Sequence, residues 1–202
     1  VSAAVVVVDS GGANLASVLF ALERLGVAAQ LSADPQVISA APRVLLPGVG
    51  AAAAVMANLQ QRQLIACLRA LTQPVLGICL GMQILYESSD EGNCQCLGIL
   101  PGRVTALQPA HDRPVPHMGW NRVRAVQDSR LLPLAGEGAA PGEHFYFVHS
   151  YAAPMGAAVV AVADYGAEVP ALVQHGNWLG AQFHPERSGA AGARLLQRFL
   201  EL

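Results

Sequence analysis

The chain has 202 residues, of which 53% are hydrophobic and only 13% charged, and its formal net charge is −2. That length suits one domain with a full core, spanning residues 1–202. The mild negative charge without a basic stripe argues against nucleic acid and anionic membrane as partners, and no window is long and apolar enough to span a bilayer.

Ala4 to Val8 is a continuous apolar run, the mark of a strand buried on both faces. The preceding residues carry no positive charge, so the start reads as a buried strand and not as a signal peptide. Asp9-Ser10-Gly11-Gly12 is a turn. Asn14 is placed to cap a helix to about Arg24, with Leu15, Val18, Leu19, Leu22 and Leu25 on one stripe and Gly26 as its stop. Val27 to Leu31 reads as a second strand, and Asp34-Pro35 opens a short helix or turn. Arg43 to Leu46 is a third strand, ending at Pro47-Gly48-Val49-Gly50. Ala51 to Asn58 and Gln60 to Leu71 read as helices, and Val75 to Gly77 as a fourth strand. Strand and helix alternate with short turns, which predicts an open, mostly parallel α/β sheet of flavodoxin-like type with helices on both faces.

The second half changes character. Short β-like segments are predicted near Arg103 to Leu107, Asn121 to Val126, His144 to Val148, Ala158 to Ala163, Ala171 to His175 and Trp178 to Gln182, an added antiparallel region. Gly176-Asn177 joins the last two as a hairpin turn. Gly136 to Gly142 is a Gly/Ala/Pro loop. Ser188 is placed to cap a final helix to about Leu200.

The chemistry centres on Gly77-Ile78-Cys79-Leu80-Gly81, where an apolar strand meets a Gly-x-Cys-x-Gly turn and a helical pattern follows. This is the nucleophile-elbow pattern with Cys in place of Ser. The following helix would point its N-terminus at Cys79 and favour thiolate. A Gly-flanked cysteine without a role is the plain alternative. A thiolate needs an imidazole, and that imidazole an orienting group. In Phe183-His184-Pro185-Glu186, proline holds His184 extended, so His184 and Glu186 face the same way. His149 also follows a β-like run and is the rival base. His117 lies in His117-Met118-Gly119-Trp120-Asn121, read as an aromatic turn suited to contact. His111, His144 and His175 read as surface or structural. An attacked carbonyl needs preorganised N–H donors. Leu80 offers one by elbow geometry, and the turn at Val49 and Gly50 offers more at the same sheet edge. Of the other cysteines, Cys67 reads as core. Cys94 and Cys96 form a C-x-C pair with no second pair to complete a zinc site. No disulfide scaffold, metal or cofactor is expected, and a reducing cytoplasm is the expected location.

Pro47-Gly-Val-Gly50, Gly77-Ile-Cys-Leu-Gly-Met-Gln83 and His184-Pro-Glu186, in that order, resemble the class I (triad-type) glutamine amidotransferases over nearly the whole chain. His117-Met-Gly-Trp-Asn121 and Tyr146-Phe-Val-His-Ser-Tyr151 bring the resemblance nearest to the glutaminase subunits of imidazole glycerol phosphate synthase, of histidine biosynthesis. The first turn departs from that pattern: the usual Asp-Tyr-Gly-x-Gly-Asn is Asp9-Ser-Gly-Gly-Ala-Asn14 here. The resemblance implies Cys79, His184 and Glu186 as catalytic triad, and Val49, Gly50 and Leu80 as oxyanion donors. It implies Gly48, Gln83 and Glu91 as holders of an L-glutamine substrate. It further implies ammonia transfer to a (β/α)₈-barrel cyclase subunit in a heterodimer, gated at the Gly48-Val49-Gly50 turn. Asn14, Met118, Trp120 and Arg187 are the residues chosen for the partner surface. Other readings are the glutaminase subunit of pyridoxal phosphate synthase, a non-catalytic flavodoxin-like binding module, and a Cys-dependent hydrolase or stress protein of that fold group.

Overall fold

The valine run Val5–Val8 is strand β1, and all four residues are buried. Val6 and Val8 enter one core cluster, Val5 and Val7 the other, so successive side chains feed opposite faces of the sheet. The structure, a computed structural model, describes residues 4–11, 15–133 and 142–202. Asn14 and most of the Gly136–Gly142 loop lie outside the described residues.

Helix α1, Leu15–Arg24, buries Val18, Ala21 and Leu22. Gly26 ends it at a φ of 73°, where a residue without Cβ is at ease. Strand β2 is Ala29–Ser32. Helix α2, Pro35–Ala40, starts as expected: the Asp34 carboxylate accepts from Gln36 N at 2.8 Å and proline fills the first turn. Strand β3 is Val44–Gly48; helices α3, Ala52–Gln61, and α4, Leu64–Arg69, follow. The break between them falls at Gln63, with φ 58°, a little after the expected one. Strand β4 is Val75–Cys79 and helix α5 is Leu80–Gln83.

Here the structure departs from the expected helix. It ends after one turn because the returning chain takes its carbonyls: Leu97, Leu100 and Gly98 donate to Ile84, Leu85 and Tyr86. Tyr86–Ser89 becomes β5, followed by β6, Cys94–Gln95, and β7, Leu100–Ala106. The remaining elements are β8 (His117–Ala125), β9 (Glu143–His149), β10 (Tyr151–Ala152), β11 (Val159–Asp164), β12 (Glu168–His175), β13 (Trp178–Ala181), a 3-10 turn (Pro185–Arg187) and α6 (Gly189–Leu200). The segment expected as an aromatic turn, His117 to Asn121, is instead the start of β8. Seven residues of β8 and β9 pair in unbroken antiparallel register, His117 opposite His149 through Val123 opposite Glu143.

Among the described residues one sheet has the order β2-β1-β3-β4-β13-β12-β11-β8-β9, and a smaller one the order β10-β7-β5-β6. Strands β2, β1, β3, β4 and β13 run parallel, and β12, β11, β8 and β9 continue the sheet antiparallel. The mixed α/β architecture with its added antiparallel region is the expected one. No helix among the described residues is long and apolar enough to cross a membrane.

Candidate active site

Cys79 is the last residue of β4, and its backbone sits at φ 55°, ψ −112°. A side chain other than glycine's is strained there, at about 1–3 kcal/mol, a cost sustained where the surroundings over-determine it. Those surroundings are backbone. A Cβ on Gly81 would run into Leu46 O, and one on Gly48 into the backbone of Leu80 and Gly81. The elbow therefore lies flat on β3, whose Gly48 pairs with Cys79. One helical turn supplies little macrodipole, so the expected electrostatic help from α5 is small.

The candidate cation is His184, in the turn after β13. His184 N donates to Tyr146 O at 2.8 Å. Ser188 does not cap α6 through its side chain. Its Oγ donates to His184 O at 2.6 Å and accepts from Tyr146 N at 2.9 Å, which clamps the His-Pro-Glu turn to β9. His184 Nδ1 and Glu186 Oε1 are 2.7 Å apart and both side chains are buried. Burial alone would push the imidazole toward neutrality, but Cys79 and then Glu186 outweigh it and raise His184 to about 10. Nε2 is buried with no hydrogen-bond partner among the described residues. The contact to Nε2 is thus loose, as is usual before substrate binds.

The sulfur opens onto a cavity of about 240 Å³ lined by Gly50, Cys79, Leu80, Gln83, Glu91, Pro116, Val148, His149, Ser150 and Tyr151. That is below the range of about 300–1,000 Å³ that suits drug-sized ligands and fits a small metabolite. Of the expected substrate residues, Gln83 and Glu91 line it. Gln83 Nε2 is held by Tyr151 O at 2.8 Å and by Gln182 Oε1 at 2.9 Å. The Glu91 carboxylate accepts from Ala52 N at 2.8 Å, supplying the α3 cap that no neighbouring side chain provides. Gly48 is buried beneath the elbow. Together with Val49 it borders a smaller recess that also reaches His184 and Glu186. Ser10, one of the departures in the first turn, donates to Pro47 O at 3.1 Å and so ties that turn to the Gly48–Gly50 segment.

His149, the rival base, lines the same cavity with both nitrogens engaged. Nδ1 lies 2.8 Å from Tyr151 O and Nε2 lies 2.9 Å from His117 Nδ1. A carbonyl only accepts, so the proton of His149 is on Nδ1 and His117 must donate to its bare Nε2. His117 Nε2 then accepts from Asn121 Nδ2 at 3.2 Å. Burial lowers both histidines to about 4, and neither has a carboxylate at hand. His117 also stacks between Phe147 and Tyr165, at 4.6 and 4.0 Å between ring centroids. His111, His144 and His175 are exposed.

On the outer side of β8 and β9, Met118 is 61% and Trp120 57% exposed. Arg187 lies 5.0 Å over the Tyr146 ring, which meets Trp120 edge-on at 6.1 Å. The chosen Met118, Trp120 and Arg187 thus share one patch, with Tyr146 at its centre. Tyr146 was missed in sequence, as were Gln182 and Val148. The even spacing Tyr146, Val148 opposite Trp120, Met118 could have found two of them once β8 and β9 were paired. Phe20, 57% exposed on α1, was also missed.

The sequence matches the family "Glutamine amidotransferase class-I" over residues 6–202. It is 52% identical over 198 residues to "Imidazole glycerol phosphate synthase subunit HisH" of Xylella fastidiosa strain Temecula1, covering 98% of this chain and 97% of that one. It is 53% identical over 195 residues to the protein of the same name from Xanthomonas campestris pv. campestris strain 8004, covering 96% of each. Among solved structures, one described as a glutamine amidotransferase superimposes with a TM-score of 0.73 at 21% identity, covering 98% of this chain and 97% of the other. Another glutamine amidotransferase, from Thermotoga maritima, gives 0.60 at 18% identity, covering 98% of this chain and 80% of the other. These two speak for the fold.

Proposed function

Because the chain belongs to the class-I glutamine amidotransferases, in the branch of the HisH subunits of imidazole glycerol phosphate synthase, we propose that it hydrolyses glutamine through Cys79, His184 and Glu186 and hands the ammonia to a cyclase partner. One observation carries the reading. A cysteine held at a strained φ opens onto a small cavity, and the buried His184–Glu186 pair, whose imidazole Cys79 helps to raise, lines the recess along Gly48 and Val49.

Cys79 Sγ attacks the side-chain amide carbon of glutamine. The oxyanion accepts from Leu80 N–H and from amides of the turn at Val49 and Gly50. His184, charged by its two anionic neighbours, gives its Nε2 proton to the leaving ammonia. Its bare Nε2 next takes a proton from water, which attacks the thioester and releases glutamate and thiolate. Glu186 holds the ring and stabilises imidazolium. Gln83 and Glu91 face the amino-acid end of the substrate, and the Glu91 carboxylate complements an α-ammonium. The ammonia leaves toward a (β/α)₈-barrel cyclase seated on the patch of Met118, Trp120 and Arg187. There it is built into imidazole glycerol phosphate, with aminoimidazole carboxamide ribotide as second product. The site of action is the cytoplasm, in keeping with four free cysteines.

The test is glutamate release by the purified protein alone, with the cyclase, and with cyclase plus its formimino nucleotide. Strong stimulation by the full set is expected. Glutamate release that ignores the cyclase but responds to the barrel protein of pyridoxal phosphate synthase would move the protein to another pathway with the same chemistry. None under any partner would end the reading.

A further inference from the structure

Gln182 has no part in the triad, yet the fold sets it beside the sulfur. Ala181 pairs with Ile78 in the parallel β13–β4 ladder, so the next residue on each strand comes level: Gln182 and Cys79. Gln182 is fully buried. Its Nε2 lies 3.9 Å from Cys79 Sγ, and its Oε1 lies 2.9 Å from Gln83 Nε2.

An amide side chain has a donor end and an acceptor end and in isolation can turn either way. Here it has one choice. Gln83 Nε2 also meets Tyr151 O at 2.8 Å, and a carbonyl oxygen cannot donate, so Gln83 must point its NH₂ inward. One of those hydrogens goes to Tyr151 O, and the other meets Gln182. Gln182 must answer with oxygen, and its own NH₂ is thereby aimed at sulfur. His149 Nδ1–H takes the other lone pair of Tyr151 O and locks the arrangement from behind.

The second polar neighbour of the sulfur has the opposite character. Val148 O lies 3.8 Å from Sγ and accepts from the thiol. Once the proton leaves, that carbonyl repels the sulfur, and the amide of Gln182 attracts it. Charge-assisted hydrogen bonds are shorter and stronger than neutral ones, so the long contact tightens in the thiolate.

We propose that Gln182 is a positioning residue, whose side-chain N–H, locked in direction by Gln83 and Tyr151, holds the Cys79 sulfur in place for attack. The inference rests on the glutaminase reading for its purpose but not for its test.

Gln182→Glu keeps an oxygen for Gln83 and removes the N–H at sulfur; Gln182→Met removes both. Iodoacetamide labelling of Cys79, followed by mass spectrometry of its peptide, reads the thiolate directly. In folded Gln182→Glu, labelling at neutral pH and kcat for glutamine are expected to fall about tenfold, with KM within about twofold of wild type. In Gln182→Met, KM is expected to rise as well, because Gln83 loses its partner. Wild-type labelling rates in both folded variants would overturn the proposal. If neither variant folds, the wild type still decides. The side-chain amide resonance of Gln182 must move as Cys79 loses its proton, and a resonance that stays put overturns it. Absence of glutamate release by wild type with its cyclase would overturn the glutaminase reading instead, and the labelling rates would still judge Gln182.

Discussion

Two histidines, one lining the cavity of Cys79 and the other the recess along Gly48 and Val49, are buried to the same degree. His184 and His149 are each 5% exposed. Yet His184 is raised to about 10 and His149 lowered to about 4. The difference is the partner. His184 has the Glu186 carboxylate on Nδ1 and Cys79 as a further favourable partner, so its charged form is stabilised. His149 has a carbonyl on one nitrogen and another neutral histidine on the other, so charging it breaks a hydrogen bond and buries a lone cation. Desolvation acts on both, and only a neighbouring negative charge reverses it. Equal burial thus leaves one histidine inclined to hold a proton and the other to shed it.

The largest expected effect removes the sulfur that helps to raise His184. Cys79→Ala should lower glutamate release by at least about 10⁴-fold, as loss of a triad nucleophile does elsewhere, in the cyclase-stimulated assay. Glu186→Gln strips His184 of its carboxylate. Its kcat should fall about 10²–10⁴-fold and its imidazole should titrate at lower pH by NMR, closer to His149. Unchanged titration would show that Cys79 alone sets the contrast.

Gly81→Ala tests whether the elbow itself carries the pairing. The added methyl meets Leu46 O, a backbone atom of β3 that cannot yield cheaply. A loss of about 3 kcal/mol in denaturant-derived stability is expected. The neutral pair has its own signature in acid. His149 and His117 are depressed below the 6.5 of the unfolded chain, so as pH falls the unfolded state binds protons first. Their contribution is complete above about pH 6.5. It drains as pH drops toward about 4, at up to about 1.4 kcal/mol per pH unit for each histidine. His184, raised, runs the other way: its contribution is complete below about 6.5 and is lost as pH rises toward about 10. Stability curves against pH, compared for wild type and His149→Asn, separate the two. The smallest effect sharpens the comparison most. Asn121→Asp sets a carboxylate 3.2 Å from His117 Nε2 and should raise that histidine by about 1–2 pH units, making the neutral pair resemble His184.

Much of the site was legible because its parts are local. The elbow needs its glycines within two residues of Cys79. The His184–Glu186 pair is two residues apart in an extended turn, and the exposed Met118 and Trp120 alternate as strand residues do. The one-turn length of α5 was not legible. The pattern at Ile84 and Leu85 suits a longer helix, and only the returning chain at Leu97 to Leu100 takes the carbonyls that would have extended it. Nor was the start of β8, because His117 to Asn121 becomes a strand only through its ladder with β9.

The sequence by itself determined the alternating α/β half, the Gly-x-Cys-x-Gly turn and the carboxylate beside His184, since each depends on backbone preferences within a few residues. Only the tertiary structure decided which buried histidine is raised and which is lowered. That choice rests on charges and carbonyls brought from β4, β8, β9 and the turn after β13. Electrostatic neighbours in a buried cavity are set by packing, not by spacing along the chain.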